Sequence, residues 1–211
     1  MKLIITIIFF LILFGIVETV QRLTGIKPDF TRKITHVLSG VTIFFLPYFL
    51  NVQDIIILSL VFTILLIISK NLGLLISLHK ISRKTLGEVF YPLGVGVAAF
   101  FFLPLDVQVF QFGILVLALA DASAGVVGDY LIKHRIELMK NSKSLEGSGA
   151  FFLITLLLVI LFVPQPPVLS LIVPILITSL LITLVELVLV GGFDNLLLPI
   201  VASYLFKVLI L

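Results

Sequence analysis

Asp121 is one of several polar residues that stand inside long apolar runs of this sequence. It lies in LALADASAGVVGDY, where Asp121, Ala124, Gly125 and Gly128 follow the i, i+3, i+4, i+7 spacing of one helix face. A carboxylate beside three small residues allows a ligand, or another helix, to approach the backbone closely. Because ionisable residues inside membrane helices are costly, Asp121 is a candidate for function. The structural alternative is a Gly/Ala packing face with one hydrogen-bonded Asp.

A second polar segment, NSKSLEGSG, stands directly before the apolar run AFFLITLLLVILFV. If its Glu-Gly-Ser-Gly part forms a first helical turn, the free backbone N–H groups make an anion site. The ammonium group of Lys143 and the hydroxyl groups of Ser144 and Ser148 would bind the same phosphate. Glu146 would repel it unless this carboxylate caps the helix or holds a cation such as Mg²⁺, which carboxylates and nucleotide phosphates commonly bind together. A basic loop touching anionic lipid head groups would explain the lysine but not the Gly/Ser pattern.

Two further groups of polar residues begin apolar runs. Arg32 and His36 are spaced i, i+4 in RKITHVLSG, with Lys33 adjacent, so Arg32 and His36 share a helix face that could contact a phosphate. Arg and Lys at such positions are also ordinary interface anchors. The segment GEVFYPLGVG carries Glu88 in a first helical turn, where the helix dipole is a sufficient explanation. Pro92 in the same segment predicts a kinked or broken helix.

The last polar group is VELVLVGGFDNLLLP, near the end of the chain. Glu186 lies inside an apolar run, and Asp194 and Asn195 follow a Gly-Gly pair. An acidic residue within a membrane helix is a functional candidate, so this region adds two carboxylates to a possible site. Asp54 and Asp106, by contrast, lie at the other ends of their runs and mark helix boundaries.

The rest of the sequence has the composition of an integral membrane protein. Its mean hydropathy is +1.34, and 61% of its residues are hydrophobic against 12% charged. Runs long enough to cross about 30 Å of hydrocarbon predict helices at 3–20, 34–50, 55–78, 88–104, 108–132, 148–163, 168–190 and 196–211. We therefore predict one all-α domain over residues 1–211, a polytopic membrane helical bundle with about seven or eight transmembrane helices. The absence of cysteine excludes disulfides and thiolate metal sites, and no feature predicts a nucleic-acid partner.

Basic residues are confined to alternate loops. They are Arg22, Lys27, Arg32 and Lys33, then Lys70, Lys80, Arg83 and Lys84, then Lys133, Arg135, Lys140 and Lys143, whereas the loops around 51–54, 105–107 and 164–167 have none. The positive-inside rule then places these loops in the cytoplasm and the N-terminus outside, in a prokaryotic inner membrane or its equivalent. Every polar group described above falls on the cytoplasmic side. This arrangement predicts a nucleotide or phosphorylated head group as one substrate and a lipid as the other.

The combined motifs resemble those of membrane enzymes that use CTP. The family includes phosphatidate cytidylyltransferases and the dolichol, phytol and farnesol kinases, and the shared segments here are Asp121-x-x-Ala124-x-x-x-Gly128 and Lys143-Ser-Leu-Glu146-Gly147-Ser148. Features similar to the polyprenol kinase branch are Arg32-Lys33-x-x-His36, Gly87-Glu88 with Pro92, Glu186 and Asp194-Asn195-Leu-Leu-Leu-Pro199. The His-Gly-Gly-x-x-Asp-Arg ending of the cytidylyltransferases does not occur. Family members often have Gly where this chain has Ala120.

The resemblance implies CTP-dependent phosphorylation of a membrane lipid alcohol of the polyprenol, phytol, farnesol or diacylglycerol type, with Mg²⁺. The implied nucleotide-binding residues are Arg32, Lys33, Gly128, Lys143, Ser144, Glu146, Gly147, Ser148, Asp194 and Asn195. The implied metal ligands are Asp121, with Asp129 or Glu146. The base that accepts the proton of the alcohol would be Asp121, Glu186 or His36.

Two other functions stay open at this point. A phosphatidate cytidylyltransferase would use the same Asp121 and Lys143–Ser148 segments but would release pyrophosphate and form a CDP-lipid. A non-enzymatic membrane transporter would require polar groups that reach both faces of the membrane. The sequence contains no Gly-x-x-x-x-Gly-Lys-Ser/Thr motif, which excludes a P-loop nucleotide site. The identity of the alcohol and the oligomeric state are open as well.

Overall fold

Apolar segments of this chain form helices because, in lipid, backbone N–H and C=O groups must find partners within their own segment. A computed structural model describes residues 1–79, 85–131, 134–138, 141–163 and 169–211. Its helices are α1 (Lys2–Thr24), α2 (Pro28–Phe45), α3 (Val52–Asn71), α4 (Ile76–His79), α5 (Gly87–Phe102), α6 (Val107–Leu115), α7 (Ala122–Tyr130), α8 (Leu145–Phe162), α9 (Ile172–Val188) and α10 (Phe193–Leu209). Short 3₁₀ segments are Leu46–Tyr48 and Leu169–Leu171, and the strands are β1 (Arg135–Leu138) and β2 (Asn141–Ser144).

Helices α6 and α7 are joined by a π-helical turn, Val116–Asp121, so that residues 107–130 form one continuous rod.

Part of the charge pattern used to predict sidedness lies outside the described residues. These positions are Lys80, Arg83, Lys84, Lys133, Lys140 and the loop 164–167.

The long helices coincide with the predicted apolar runs, and an all-α membrane bundle fits the described structure. Within the part of the chain that the structure describes, four helices could cross a membrane by length and composition: α1, α3, the α6–α7 rod and α8. Helices α5 and α9 are equally apolar but shorter, with 16 and 17 residues. The count of seven or eight transmembrane helices therefore stays a prediction.

The predicted run 55–78 is divided into two helices. Helix α3 ends at Asn71, and the chain then turns through left-handed backbone conformations at Gly73 (φ 66°) and Leu75 (φ 53°) before α4. Glycine adopts such a conformation without steric cost. The ammonium group of Lys70, in the last turn of α3, donates to the carbonyl oxygen of Thr85 at 2.8 Å. The polar end of α3 is thereby joined to the segment that begins α5.

The segment between α7 and α8 contains a β-hairpin, which the sequence did not predict. Helix α7 ends at Tyr130, within the predicted run 108–132. Strands β1 and β2 pair in an antiparallel hairpin with Arg135 opposite Ser144. Strand β2 leads directly into α8, where the hydroxyl oxygen of Ser144 accepts a hydrogen bond from the Gly147 N–H at 3.0 Å. The predicted helical turn at the start of α8 is therefore present, and a strand precedes it.

The α6–α7 rod forms the centre of the bundle. In the most apolar 18-residue stretch of this rod, 61% of the residues are buried, whereas 17% are buried in the corresponding stretch of α1. At the core, the fully buried rings of Phe112 and Phe206 stack with centroids 4.3 Å apart. The outer faces of the helices carry exposed Ile, Leu and Phe side chains, such as Ile4 and Phe9 of α1, which is the surface expected of helices surrounded by lipid.

Close packing between α5 and α10 depends on Gly94. A Cβ atom at this position would lie 3.0 Å from both the Cα and the carbonyl oxygen of Leu196, and closer still to the carbonyl oxygen of Asn195. Backbone atoms cannot move aside as a flexible side chain can. The absence of a side chain at Gly94 therefore allows the start of α10 to pack against the middle of α5.

We expect Gly94→Ala to lower the stability of the detergent-solubilised protein by about 1–3 kcal/mol, because the added methyl group overpacks the α5–α10 contact. Gly15→Ala in α1 is the matched control, since a Cβ there meets no described atom within 4 Å. The control should be neutral or slightly stabilising, as alanine is the better helix former. Thermal unfolding of both variants checks this, and equal melting temperatures would contradict the packing argument.

Candidate functional site

A cavity of about 560 Å³, a size typical of small-ligand sites, lies inside the bundle. Its charged end is formed by α2, α5, α7, β2, α8, α9 and the start of α10, and its apolar end by α1, α2, α3 and α5. Of the residues predicted for the site, all but Glu146 line this cavity: Arg32, Lys33, His36, Asp121, Gly128, Asp129, Lys143, Ser144, Gly147, Ser148, Glu186, Asp194 and Asn195. Segments far apart in sequence thus meet at one place.

Asp121 is the last residue of the π-helical turn in the central rod. Such turns are rare and often occur at functional sites. The Nε2 atom of His36 lies 2.8 Å from the carbonyl oxygen of Leu117, in the same turn, and 3.8 Å from Oδ2 of Asp121. Because a carbonyl oxygen only accepts hydrogen bonds, Nε2 carries the hydrogen and Nδ1 of the neutral ring is the acceptor. His36 therefore holds α2 against the turn that presents Asp121.

Tyr91 of α5 is a cavity residue that the sequence analysis did not single out. Its ring packs edge-on against His36 with centroids 4.4 Å apart, and its hydroxyl donates to the His36 carbonyl oxygen at 3.1 Å. A Cβ at Gly40 would lie 2.8 Å from the same hydroxyl group. The sequence signal was available, because Tyr91 follows Glu88 by one helical turn in GEVFYPLG.

The small residues of α7 serve two purposes. A Cβ at Gly147 of α8 would lie 2.8 Å from the Ala124 carbonyl oxygen and 3.3 Å from the Gly128 Cα. A Cβ at Gly125 would lie 3.0 Å from Cε of Lys33. Part of this face therefore packs against α8, as the structural alternative predicted, and part of it borders the cavity.

Lys143 and Glu186 form an ion pair across the cavity wall. The Lys143 ammonium group, from β2, donates to both Oε1 and the backbone carbonyl oxygen of Glu186 in α9. The Glu186 side chain is only 6% exposed, and its Oε2 has no hydrogen-bond partner among the described residues. Lys143, which was predicted to bind phosphate, thus has a carboxylate partner here.

A second ion pair joins Lys33 of α2 to Asp129 of α7. It lies in the charged half of the cavity, near Gly125 and Gly128. The pair joins α2 to α7, and the Asp129 side chain is 45% exposed. Asp129, predicted as a metal ligand, is thus bonded to a cation of the protein itself.

Glu146 is the predicted site residue that does not line the cavity. Its Oε1 lies 2.9 Å from Nδ1 of His134, at the base of the β-hairpin. The carboxylate therefore connects α8 to the hairpin, and nothing in the described structure brings it to the cavity wall. Sequence spacing could not reveal this, since the side chains of a first helical turn point in different directions around the axis.

Asp194 and Asn195 begin α10 after Gly191 and Gly192, which both have positive φ. The Asn195 amide donates to the carbonyl oxygen of Gly87 at 2.8 Å, and the Asp194 carboxylate accepts from the Asn195 N–H at 2.9 Å. Asn195 therefore ties α10 to the start of α5. Asp194 lines the cavity and adds a negative charge to it.

Three carboxylates from three segments lie at the cavity. Asp121, Glu186 and Asp194 line it together with Lys143 and Arg32. Over the described ranges, no group of three His, Asp or Glu residues is arranged to hold a metal ion without further ligands. The arrangement suits a cation that is shared between the protein and the phosphates of a ligand.

A buried group around Glu88 was also missed by the sequence analysis. Its side chain is 4% exposed, with Oε1 2.6 Å from Nζ of Lys70 and 3.5 Å from Nδ1 of His79. Its Oε2 lacks a hydrogen-bond partner within the described part of the chain. Glu88 does lie in the first turn of α5, as predicted, but the helix dipole is only part of its role. The available signal was a lysine ending one apolar run and a glutamate beginning the next.

We expect Lys70→Met to destabilise the protein by about 2 kcal/mol, because it leaves the Glu88 carboxylate buried without its cation. The double variant Lys70→Met/Glu88→Gln should recover part of the loss. Arg22→Met is the control, since Arg22 pairs with Glu18 from an exposed position, 57% accessible, where such pairs contribute about 0–1 kcal/mol. Thermal unfolding in detergent measures all three. Additive losses in the double variant would contradict the pairing.

Apolar helices that enclose a cavity lined by paired lysines and carboxylates define a helical membrane protein with a charged internal cavity. Over 148 residues the chain is 29% identical to the phytol kinase of Synechocystis sp., a match that covers 69% of this chain and 63% of that protein. The chain is therefore related to the polyprenol and phytol kinases, which confirms the resemblance seen in its motifs. The relationship to the cytidylyltransferases stays a prediction. No protein-family model and no solved structure matches the chain.

Proposed function

We propose that this protein is a lipid-alcohol kinase that transfers a phosphoryl group from CTP to a membrane alcohol of the polyprenol, phytol, farnesol or diacylglycerol type, in a site facing the cytoplasm. The observation that carries the proposal is that one cavity joins the charged residues of several distant segments to an apolar wall. The relationship to phytol kinase supports the same reaction class.

The charged end of the cavity suits a triphosphate. Arg32, Lys33 and Lys143 bring positive charge from α2 and β2, and Ser148 lies in the first turn of α8, whose N-terminal N–H groups favour an anion. Phosphoryl transfer depends on positioning and charge neutralisation more than on covalent chemistry by the protein. A bound phosphate would replace a carboxylate as the partner of Lys33 or Lys143.

Mg²⁺ fits this set of residues as an ion shared with the nucleotide. Asp121 faces the cavity close to two other carboxylates, and we assign it as the main protein ligand. Asp129 is a second candidate, with Lys33 as its present partner. Glu146 is the weakest of the three predicted ligands, because it contacts His134 outside the cavity wall. When bound, Mg²⁺ would neutralise and orient the phosphate oxygens.

In the proposed reaction the hydroxyl oxygen of the alcohol attacks the γ-phosphorus, the bond to the β–γ bridging oxygen breaks, and CDP leaves. The hydroxyl proton passes to a base. Glu186 suits this role, since its Oε2 is buried with no partner among the described residues. Asp121 is the alternative base. His36 is a third, through Nδ1 only, as its Nε2 donates to Leu117.

We expect Asp121→Asn and Glu186→Gln each to lower transfer of label from γ-labelled CTP to a lipid alcohol by about 100-fold or more, as for removal of a group that stabilises the transition state. Chelation of Mg²⁺ should abolish transfer. Asp54→Asn is the control. Asp54 lies in the first turn of α3, at the other end of this helix from Lys70, and the variant should retain activity. Thin-layer separation of lipid, CDP and pyrophosphate measures the products.

Each of the other possible outcomes of this experiment would support a different conclusion. Label found only in pyrophosphate, with formation of a CDP-lipid, would replace the kinase proposal by a cytidylyltransferase. Equal use of ATP would overturn the choice of CTP. Absence of nucleotide consumption with every alcohol tested would favour the transporter alternative.

The cytoplasmic position of the site is tested by single cysteines, since the chain has none of its own. Gln53 and Asn71 are exposed polar residues at opposite ends of α3. In intact cells we expect a membrane-impermeant maleimide to label Gln53→Cys, and to label Asn71→Cys only after permeabilisation, because the basic loops are predicted to face inward. The reverse pattern would place the charged end of the cavity outside.

A further inference from the structure

The inward face of α2 changes in character along its length. Arg32, His36 and Ser39 line the charged half of the cavity, and Ile43 and Leu46 line its far end. Their spacing keeps them on one side of the helix, and the rise from Arg32 to Ile43 is about 16 Å at 1.5 Å per residue. Along this one face of the helix, the side chains therefore change from charged, to a hydroxyl group, to hydrocarbon.

The far end of the cavity, here called the apolar limb, is walled by four helices. Besides Ile43 of α2 and Leu46 of the 3₁₀ turn that follows it, the limb is lined by Phe10 and Phe14 of α1, by Ile55, Leu58 and Phe62 of α3, and by Val95 of α5. The ring of Phe62 contacts those of Phe10 and Phe14, with centroids 5.4 and 5.6 Å away. Leu46 and Ile55 are 4% and 0% exposed, and they lie at the ends of α2 and α3 farthest along the chain from Arg32 and Lys70. Its walls suit a flexible hydrocarbon chain.

Two polar atoms at the cavity wall point to the nature of the ligand. Like Glu186 Oε2 described above, Ser39 Oγ and Glu88 Oε2 are buried and have no hydrogen-bond partner within the described ranges. Buried polar groups in proteins are nearly always hydrogen-bonded. Ser39 lies one turn from His36, between the charged half and the apolar limb. A ligand that carries a hydroxyl group on a hydrocarbon chain would give Ser39 a partner and fill the limb.

We propose that the apolar limb binds the hydrocarbon chain of the acceptor alcohol, with the hydroxyl group held at Ser39, and that Leu46 and Ile55 limit the length of chain accepted. This inference rests on the proposed kinase function, because it names the half of that site which receives the alcohol. Ser39 is a positioning residue.

Binding is tested without turnover by cysteine protection in nanodiscs that contain no nucleotide. Leu58→Cys places a thiol in the limb, and Leu60→Cys, at a position 48% exposed on the outer face of the same helix, is the matched control. With phytol or farnesol at ten times its Kd, modification of L58C by N-ethylmaleimide should slow about tenfold. The rate for L60C should not change.

Equal protection of both variants, or none of either, would overturn the proposal. Protection of L58C by a diacyl phospholipid as strong as that by the alcohols would also overturn it, by assigning the limb to a structural lipid. Because no phosphoryl transfer is needed, these results are independent of whether the kinase proposal itself is correct.

Chain-length selection is tested by the closed end of the limb. Ile55→Phe and Leu46→Phe should each lower the ratio of kcat/KM for a long isoprenoid alcohol to that for a short one by about tenfold, as for a pocket shortened by a methylene group or more. Leu46→Ala should raise the ratio. Ile57→Phe, at a position 47% exposed on the outer face of α3, is the control. An unchanged ratio in folded variants would contradict the assigned end of the limb.

Discussion

The cost of placing ionised side chains among apolar helices is the constraint on which the rest of this structure depends. Three lysines each meet a carboxylate from another segment, in the pairs Lys33–Asp129, Lys70–Glu88 and Lys143–Glu186. Each pair joins elements far apart in sequence: α2 with α7, α3 with α5, and β2 with α9. Charge neutralisation therefore sets which helix ends meet, and the same pairs place charged residues at the cavity.

These pairs also explain how a charged cavity can be stable before a ligand binds. Removing one partner of a buried pair is far more costly than exchanging it for another of like charge. In the proposed reaction, the phosphates of CTP replace carboxylates beside the lysines, while Mg²⁺ and the acidic residues neutralise each other. The exchange leaves no large excess of buried charge. Asp121 is held at the cavity by the π-helical turn.

The two halves of the cavity are linked through α2. Its contact with the central rod is close, since His36 bonds to Leu117 and Gly40 leaves room for Ala118. That contact fixes the orientation of the whole helix, so the residues beside the phosphate site and those beside the apolar limb are oriented together. A hydroxyl group at Ser39 would then lie between nucleotide and hydrocarbon, as transfer to a lipid alcohol requires.

Several features of this protein could be predicted from sequence because they depend on neighbouring residues. Apolar runs located the long helices, and the helical turn at the start of α8 followed from NSKSLEGSG, since a helical turn involves only neighbouring residues. The β-hairpin was not predicted, because β2 needs β1 as its partner and the polar segment has no strand pattern of its own. The break after Asn71 was missed as well, because the chain on both sides of it is apolar.

The sequence by itself determined the membrane class, the positions of the helices and the polar residue types gathered toward one side, because these depend on composition and local spacing. Only the tertiary structure decided that Lys143 pairs with Glu186, that Glu146 turns to His134, and that Glu88 and Tyr91 join the cavity. The reason is physical. Ion pairs and cavity walls depend on the distances between helices, and the order of the helices along the chain does not fix those distances.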